Sequence, residues 1–277
     1  MSAAWTHTEW ARALAAGVAP WIAARPAASN PAGLEFVRSG IGAWLDRLGF
    51  QVELHGPASY PPTIVASRAG TGPRTVGLCA HYDVEEAGDG WDTPPFSITT
   101  VSDRLFGRGV ADNLGPLWLR LAAIERAERP PPPLVVVVQG EEEVGSPGAH
   151  QAFPDLALPP IALWLEETGY FELDGTQRLL ARGMHDTSSR ALAAVVAAAE
   201  RHGRSVATHD RFLNKAFGAA RCPFLTHLVK DAPYLAIGPN DPRSAIHRPN
   251  ESLPTAHLAL VVEQTQELLG MMAGAEV

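Results

Sequence analysis

Short β-rich apolar runs alternate with longer apolar segments at helical spacing along this 277-residue chain. That alternation predicts an α/β fold: a mostly parallel central sheet with helices on both faces, a three-layer sandwich. Two further observations support it. The valine run at 135–138 follows four prolines and precedes a turn, the pattern of a strand buried on both faces. No internal repeat or long flexible linker interrupts the chain, so one domain over 1–277 is the economical reading.

The strand-like runs, in order, are TIVASRA (63–69), TVGLCAHYD (75–83), PLVVVVQ (133–139), IALWLE (161–166), QRLLARG (177–183) and YLAIGP (234–239). The helical segments are EFVRSGIGAWLDRLGF (35–50), LWLRLAAIERAER (117–129), SSRALAAVVAAAERHG (188–203) and HLALVVEQTQELLGMMAG (257–274). Asp186, Thr187 and Ser188 are capping types ahead of the third helix, and Gly203 stops it. Ser146 followed by Pro147 reads as a cap with proline at the first helical position.

Composition excludes several function classes. Apolar residues make up 46% and charged residues 19%, an ordinary globular balance. The net charge of −8 and the lack of a basic stripe argue against nucleic acid. No apolar run is long enough to span a bilayer, and an N-terminus with an early Glu9 and no cationic start does not read as a signal peptide. Two cysteines, Cys79 and Cys222, make no disulfide framework and lack a Cys-x-x-Cys partner. A cytoplasmic location is expected.

In open α/β sheets, ligand sites form beyond the C-terminal ends of the strands. His81-Tyr82-Asp83 closes the second run, Glu141-Glu142-Glu143 follows the third and Glu166-Glu167 stands at the end of the fourth. His247 lies past the sixth, and Asp112 just before the second long helix. Singly, each has an ordinary explanation: a hydrogen-bonded core histidine, a solvated acidic loop, a helix cap. Five metal-type side chains at one sheet edge point instead to a site. Carboxylate and imidazole ligands suit zinc, and a pair of ions ~3.5–4 Å apart needs a bridging carboxylate.

Four segments carry a resemblance: AHYDV, then WDTPPFSITTVSDRLFGRGVADNLG, then GEEEVGS, then IHRPNES. In order and spacing they resemble the motifs of the M20 metallopeptidases, a zinc-exopeptidase-like fold. The resemblance spans about 35–183 and 186–270. It implies that His81 binds one metal, that Asp83 orients its imidazole, that Asp112 bridges two ions, and that His247 binds the second. It further implies Glu142 as general base, with Glu143 and Glu166 as ligands. Glu167 is the rival for the last role; counting to Arg182-Gly183 favours Glu166. The cofactors implied are two divalent ions, zinc first, with cobalt or manganese as alternatives.

The implied activity is hydrolysis of an amide bond in a peptide or N-acyl amino acid. A lidless aminopeptidase of the M28 type, a specialised pathway amidase, and a metal-bound binding protein without turnover are the alternatives. Most M20 enzymes insert a lid domain that also mediates dimers. Here the insertion point, about 183–187, runs straight into a helix, and positions 166 and 247 are only 81 apart. The expectation is a lidless catalytic domain, either a monomer or a dimer made through another surface. His185, His209, His227, Arg182 and Arg243 are candidates to replace the lid's contacts, each with an ordinary surface reading beside it.

Overall fold

The computed structural model describes residues 5–166, 168–210, 222–230 and 232–274. Its strands are β1 (Gln51–His55), β2 (Thr63–Arg68), β3 (Thr75–His81), β4 (Thr99–Val101), β5 (Arg104–Phe106), β6 (Leu134–Gln139), β7 (Ile161–Glu166), β8 (Tyr170–Phe171), β9 (Gln177–Arg182), β10 (Val206–Asp210), β11 (Tyr234–Ala236) and β12 (Ser252–Pro254). Its α-helices are α1 (His7–Ala23), α2 (Pro31–Arg47), α3 (Leu114–Glu125), α4 (Pro147–Ala152), α5 (Asp186–Arg201) and α6 (Leu258–Ala273). No described helix is long and apolar enough to cross a membrane.

The main sheet runs β1-β2-β6-β3-β7-β11-β9-β10, with β8 paired to β9. The four central strands, β6, β3, β7 and β11, are mutually parallel, as the alternating pattern predicts. The flanks are mixed: β1, β2 and β6 pair antiparallel, and so do β11 and β9. Parallel pairing puts the C-terminal ends of the four central strands on one edge. The register aligns His81 with Gln139, and Ala236 with Glu166. A smaller sheet, β12-β5-β4, stands apart.

The pleat sorts the strand residues between two cores. Leu134, Val136 and Val138 join the larger, which packs α1, α2, α3, α5 and α6 against the sheet. Val135 and Val137 turn the other way, into a smaller core with Trp164, Ala149 of α4 and Phe224. The two layers of helix are thus unequal in depth. The full burial of β6 is what its unbroken apolar run requires.

Two elements lie outside the runs read from the sequence. Helix α1 is nucleated by a capping box: Thr6 Oγ1 accepts from Glu9 N at 3.3 Å, and the Glu9 carboxylate accepts from Thr6 N at 2.7 Å. Strand β1 is a largely exposed edge, so it lacks the apolar side that makes inner strands legible.

One capping expectation is corrected and another is borne out in position but not in its bond. Asp186, Thr187 and Ser188 lie inside the first turn of α5, and His185 is the cap; its N–H donates to Ser188 Oγ at 2.8 Å. Ser146 does stand at the N-cap of α4 with Pro147 at the first helical position, but at φ +56 its side chain makes no capping bond; Glu141 supplies one, accepting from Ala149 N at 2.6 Å. A carboxylate with a longer reach does there what the serine hydroxyl was expected to do.

Spacing between β3 and β7 is set by Gly77 beneath Trp164. A β-carbon at Gly77 would lie 2.3 Å from the indole ring, and the indole is buried in the smaller core. Gly77→Ala is therefore expected to destabilise by about 1–3 kcal/mol through overpacking, read as a lower midpoint in urea unfolding; an unchanged midpoint would show that the ring can shift freely.

Candidate metal centre

Each acidic or imidazole side chain at the sheet edge is delivered by the end of an element. His81 is the last residue of β3, Glu166 the last of β7, and Asp112 lies two positions before α3, next to its cap Asn113. Glu142 and Glu143 occupy a single helical turn that follows β6, and His247 lies in the loop between β11 and β12 at φ +62. The Asp112–Asn113 peptide bond is cis.

Donor atoms of His81, Asp112 and Glu143 all lie within 4.8 Å of one another. Asp112 sits between the two histidines. Its Oδ1 is 3.0 Å from His81 Nε2, and its Oδ2 is 3.0 Å from His247 Nε2. His247 Nε2 is also 2.9 Å from Glu143 Oε2. His81 is buried, whereas His247 forms the solvent side of the group.

Asp83 sits behind this group and is almost wholly buried. Its carboxylate lies 3.3 Å from His81 Nδ1, and its backbone carbonyl 3.1 Å from the same nitrogen. The same carboxylate accepts from Glu142 N at 3.1 Å and Glu143 N at 2.9 Å. One side chain therefore orients the imidazole and the acidic turn together.

The electrostatics are those of a cation site. Burial would raise the Asp112 carboxyl, but hydrogen bonds to His247 and His81 hold it well below the usual carboxylate range. His247 is pushed up to about 10, first by its bond to Asp112 and then by Glu143. Burial opposes the charge on His81, yet Asp112 and Asp83 raise it well above its ordinary value. Glu142 is pushed up to about 7, mainly by desolvation, with His81 pulling the other way.

Two observations bear on whether these residues suit metal ions. Glu143 Oε1 is buried without a hydrogen-bond partner, which is costly unless something else satisfies it. The separations of 2.9–3.0 Å between imidazole nitrogens and carboxylate oxygens are close to the roughly 3.3 Å edge of a tetrahedron with 2.0–2.1 Å bonds. The donor set fits divalent cations.

Glu166, at the end of β7, has its own set of hydrogen-bond donors. Its Oε2 accepts from Thr168 N at 3.0 Å, Thr168 Oγ1 at 2.5 Å and Tyr234 OH at 2.5 Å. Arg120 Nη2 donates to the Glu166 carbonyl at 2.7 Å, holding the strand end itself. Glu167 lies outside the described residues. Of the candidates to replace lid contacts, His185 and Arg243 are exposed, His209 is exposed on β10, and His227 packs edge-on against His150.

Several residues around the centre were not apparent from the sequence. Glu251 accepts from the backbone N–H groups of Gly109, Ala111 and Asp112, and pairs with Arg108. Burial pushes its carboxyl up to about 7, against the pull of Arg108. Asn240 Nδ2 donates to the Ala111 carbonyl at 2.9 Å, and Arg104 makes a two-pronged pair with Asp241. The available signal was a charged residue in each motif, Arg108 in GRG and Glu251 in HRPNE, with nothing to say that they meet.

Comparison with known proteins agrees with this geometry. The description "Peptidase family M20/M25/M40" matches residues 77–270. The rat Beta-Ala-His dipeptidase is 35% identical over 116 residues, 38% of this chain and 24% of its own length. A succinyl-diaminopimelate desuccinylase of Gluconobacter oxydans is 33% identical over 129 residues, 45% of this chain and 32% of its own. These matches thus span about a quarter to a third of the curated relatives. The M20 family metallo-carboxypeptidase Sso-CP2 from Sulfolobus solfataricus shares the fold, with a TM-score of 0.74 at 12% identity over 96% of this chain and 99% of that one. With the family description covering well over half of the residues, and covering all of the site, the chain belongs to peptidase family M20/M25/M40.

Proposed function

We propose that this chain is a metal-dependent hydrolase of an amide bond in a small peptide or N-acyl amino acid, working with two divalent ions. The observation that carries the reading is Asp112, whose two carboxylate oxygens each face a different histidine at 3.0 Å. A carboxylate so placed is suited to bridge two cations. His81 and Glu166 would hold one ion and His247 and Glu143 the other, with zinc favoured by the ligand types and cobalt or manganese as alternatives. Ions bound there would supply Lewis-acid activation of a water molecule and of the scissile carbonyl.

The remaining steps belong to the protein. Glu142 accepts a proton from the attacking water at its carboxylate and delivers it to the leaving amine nitrogen. Its desolvated position, which favours the protonated form, suits a group that must hold the proton between those two transfers. Asp83 keeps the His81 Nδ1 proton engaged and so turns Nε2 toward Asp112. The neighbouring N–H groups of Glu142 and Glu143 are pinned to the two Asp83 oxygens, which fixes where each side chain leaves the turn.

We read the chain as a catalytic domain without a lid. Supporting that, only three residues separate the end of β9 at Arg182 from the start of α5 at Asp186. The two free cysteines accord with a reducing, cytoplasmic setting.

The decisive experiment is metal analysis of protein purified without chelator, together with a panel of dipeptides and acyl amino acids. Bound zinc and hydrolysis of some panel members are expected. EDTA should abolish turnover and added Zn, Co or Mn should restore it; absence of both metal and activity would sink the proposal. Full occupancy without any turnover would favour a metal-bound binding protein instead.

Glu142→Gln is expected to lower kcat by about 10²–10⁴-fold with metal content near normal. Glu143→Gln should lower metal occupancy. The opposite pattern would exchange the two roles.

Tyr234→Phe removes a donor to Glu166 without changing the ring. If Glu166 is a ligand, metal affinity falls about 10–100-fold in a chain that still folds. An unchanged affinity would point away from Glu166.

A further inference from the structure

We infer that Glu251 is a positioning residue for the metal centre: its carboxylate holds the loop that delivers Asp112, and Arg108 holds that carboxylate in turn. The inference rests on the reading of Asp112 as a shared ligand.

Residues 107–112 form no strand, so their N–H groups need partners from elsewhere. Glu251 supplies most of them. Its Oε1 accepts from Gly109 N at 3.0 Å, Ala111 N at 2.9 Å and Asp112 N at 3.1 Å. Its backbone carbonyl accepts from Gly107 N at 3.1 Å. Four of the six residues in this stretch are thus tied to one side chain and its own carbonyl. From the far side, Asn240 Nδ2 holds the Ala111 carbonyl at 2.9 Å.

The other Glu251 oxygen, Oε2, meets Arg108 Nη1 at 2.5 Å, and both side chains are essentially inaccessible to solvent. The Arg108 guanidinium lies over the Trp91 ring at 5.3 Å and donates to the Glu86 carbonyl at 3.3 Å. The carboxylate therefore cannot rotate away from the loop without leaving a buried cation unpaired.

Position in the chain adds the second half of the inference. Glu251 lies four residues beyond His247 in the same connecting segment. One carboxylate thereby ties the segment carrying His247 to the loop carrying Asp112, whose Oδ2 and Nε2 are 3.0 Å apart. A metal site tolerates ligand displacements of only about 0.2 Å, so a tether between the two loops acts directly on the geometry of binding. A buried ion pair kept for stability alone has a weaker rationale, because apolar replacements of similar volume often stabilise as much. Three N–H groups converging on one oxygen specify an orientation, which an apolar pair would not.

The test uses the full chain and Co(II) as the probe, with three variants: Glu251→Gln, the double variant Arg108→Gln/Glu251→Gln, and Ile41→Ala in the core of α2. Each is titrated with Co(II) by visible absorption, melted without metal, and assayed for kcat and KM. In Glu251→Gln the new amide opposes the guanidinium. Its Co(II) affinity is expected to fall about 10–100-fold, with an altered visible spectrum and a lower kcat at unchanged KM. The double variant, with no charge left unpaired, should regain stability without metal, yet with nothing to hold the amide on the loop its Co(II) affinity should stay at least about tenfold below the parent.

Ile41→Ala should melt at a lower temperature yet keep parental Co(II) affinity and spectrum. Parental Co(II) behaviour in Glu251→Gln would overturn the inference, and so would an equal loss of affinity in Ile41→Ala. If Glu251→Gln does not fold, a folded double variant with parental Co(II) affinity and spectrum overturns it as well. A parent chain that binds no Co(II) removes the metal-centre reading first, and the positioning role with it.

Discussion

The buried carboxylate of Asp83 is the interaction on which the centre depends. It touches the His81 imidazole on one side and the N–H groups of Glu142 and Glu143 on the other. Parallel strands alone bring β3 and β6 to a common edge, but they leave the directions of the following side chains open. A single acceptor shared by both strand ends removes that freedom. It also places negative charge beside His81, which favours a proton on Nδ1 and leaves Nε2 for the centre.

Around that point the structure is layered by reach. Strand ends set the coarse positions of His81 and Glu166, because hydrogen-bonded register allows little slippage where both faces are buried. Side chains from loops then set the fine positions. Tyr234 and Thr168 engage the Glu166 carboxylate, Asn240 and Glu251 grip the Asp112 loop, and an Asp92–Asn250 pair braces the segment that carries His247. His247, with half of its side chain exposed, is the member of the group most open to solvent.

Much of this was legible in the chain itself. The valine run of β6 could only be a doubly buried strand, and the motif residues His81, Asp112, Glu143 and His247 do converge. Other features left weaker traces. The Thr6–Glu9 capping box of α1 has the spacing of a helix start, and Trp10, Leu14, Val18, Trp21 and Ile22 follow it at the spacing of one buried helix face, a signal that the helical segments read from the sequence did not include. Ser146 is the cap residue that its type suggests, but with a left-handed backbone it makes no side-chain capping bond, and Glu141 makes one in its place. Glu166 ends its strand where expected, while the donors that occupy its carboxylate come from Thr168 nearby and from Tyr234, 68 residues away.

By itself the sequence determined the α/β class, the family, and which residue types stand at the strand ends, because hydrophobic period and short motifs are local properties of a chain. Tertiary structure alone decided which of those residues meet, and which unremarked ones hold them. Arg108 and Glu251 are 143 positions apart, and each by itself is an ordinary charged residue in a polar loop. Their pairing exists only when α3 and the last connecting segment pack on the same edge of the sheet. Burial then turns two surface-type side chains into the clamp on Asp112, since a charge removed from water must find its partner within the fold.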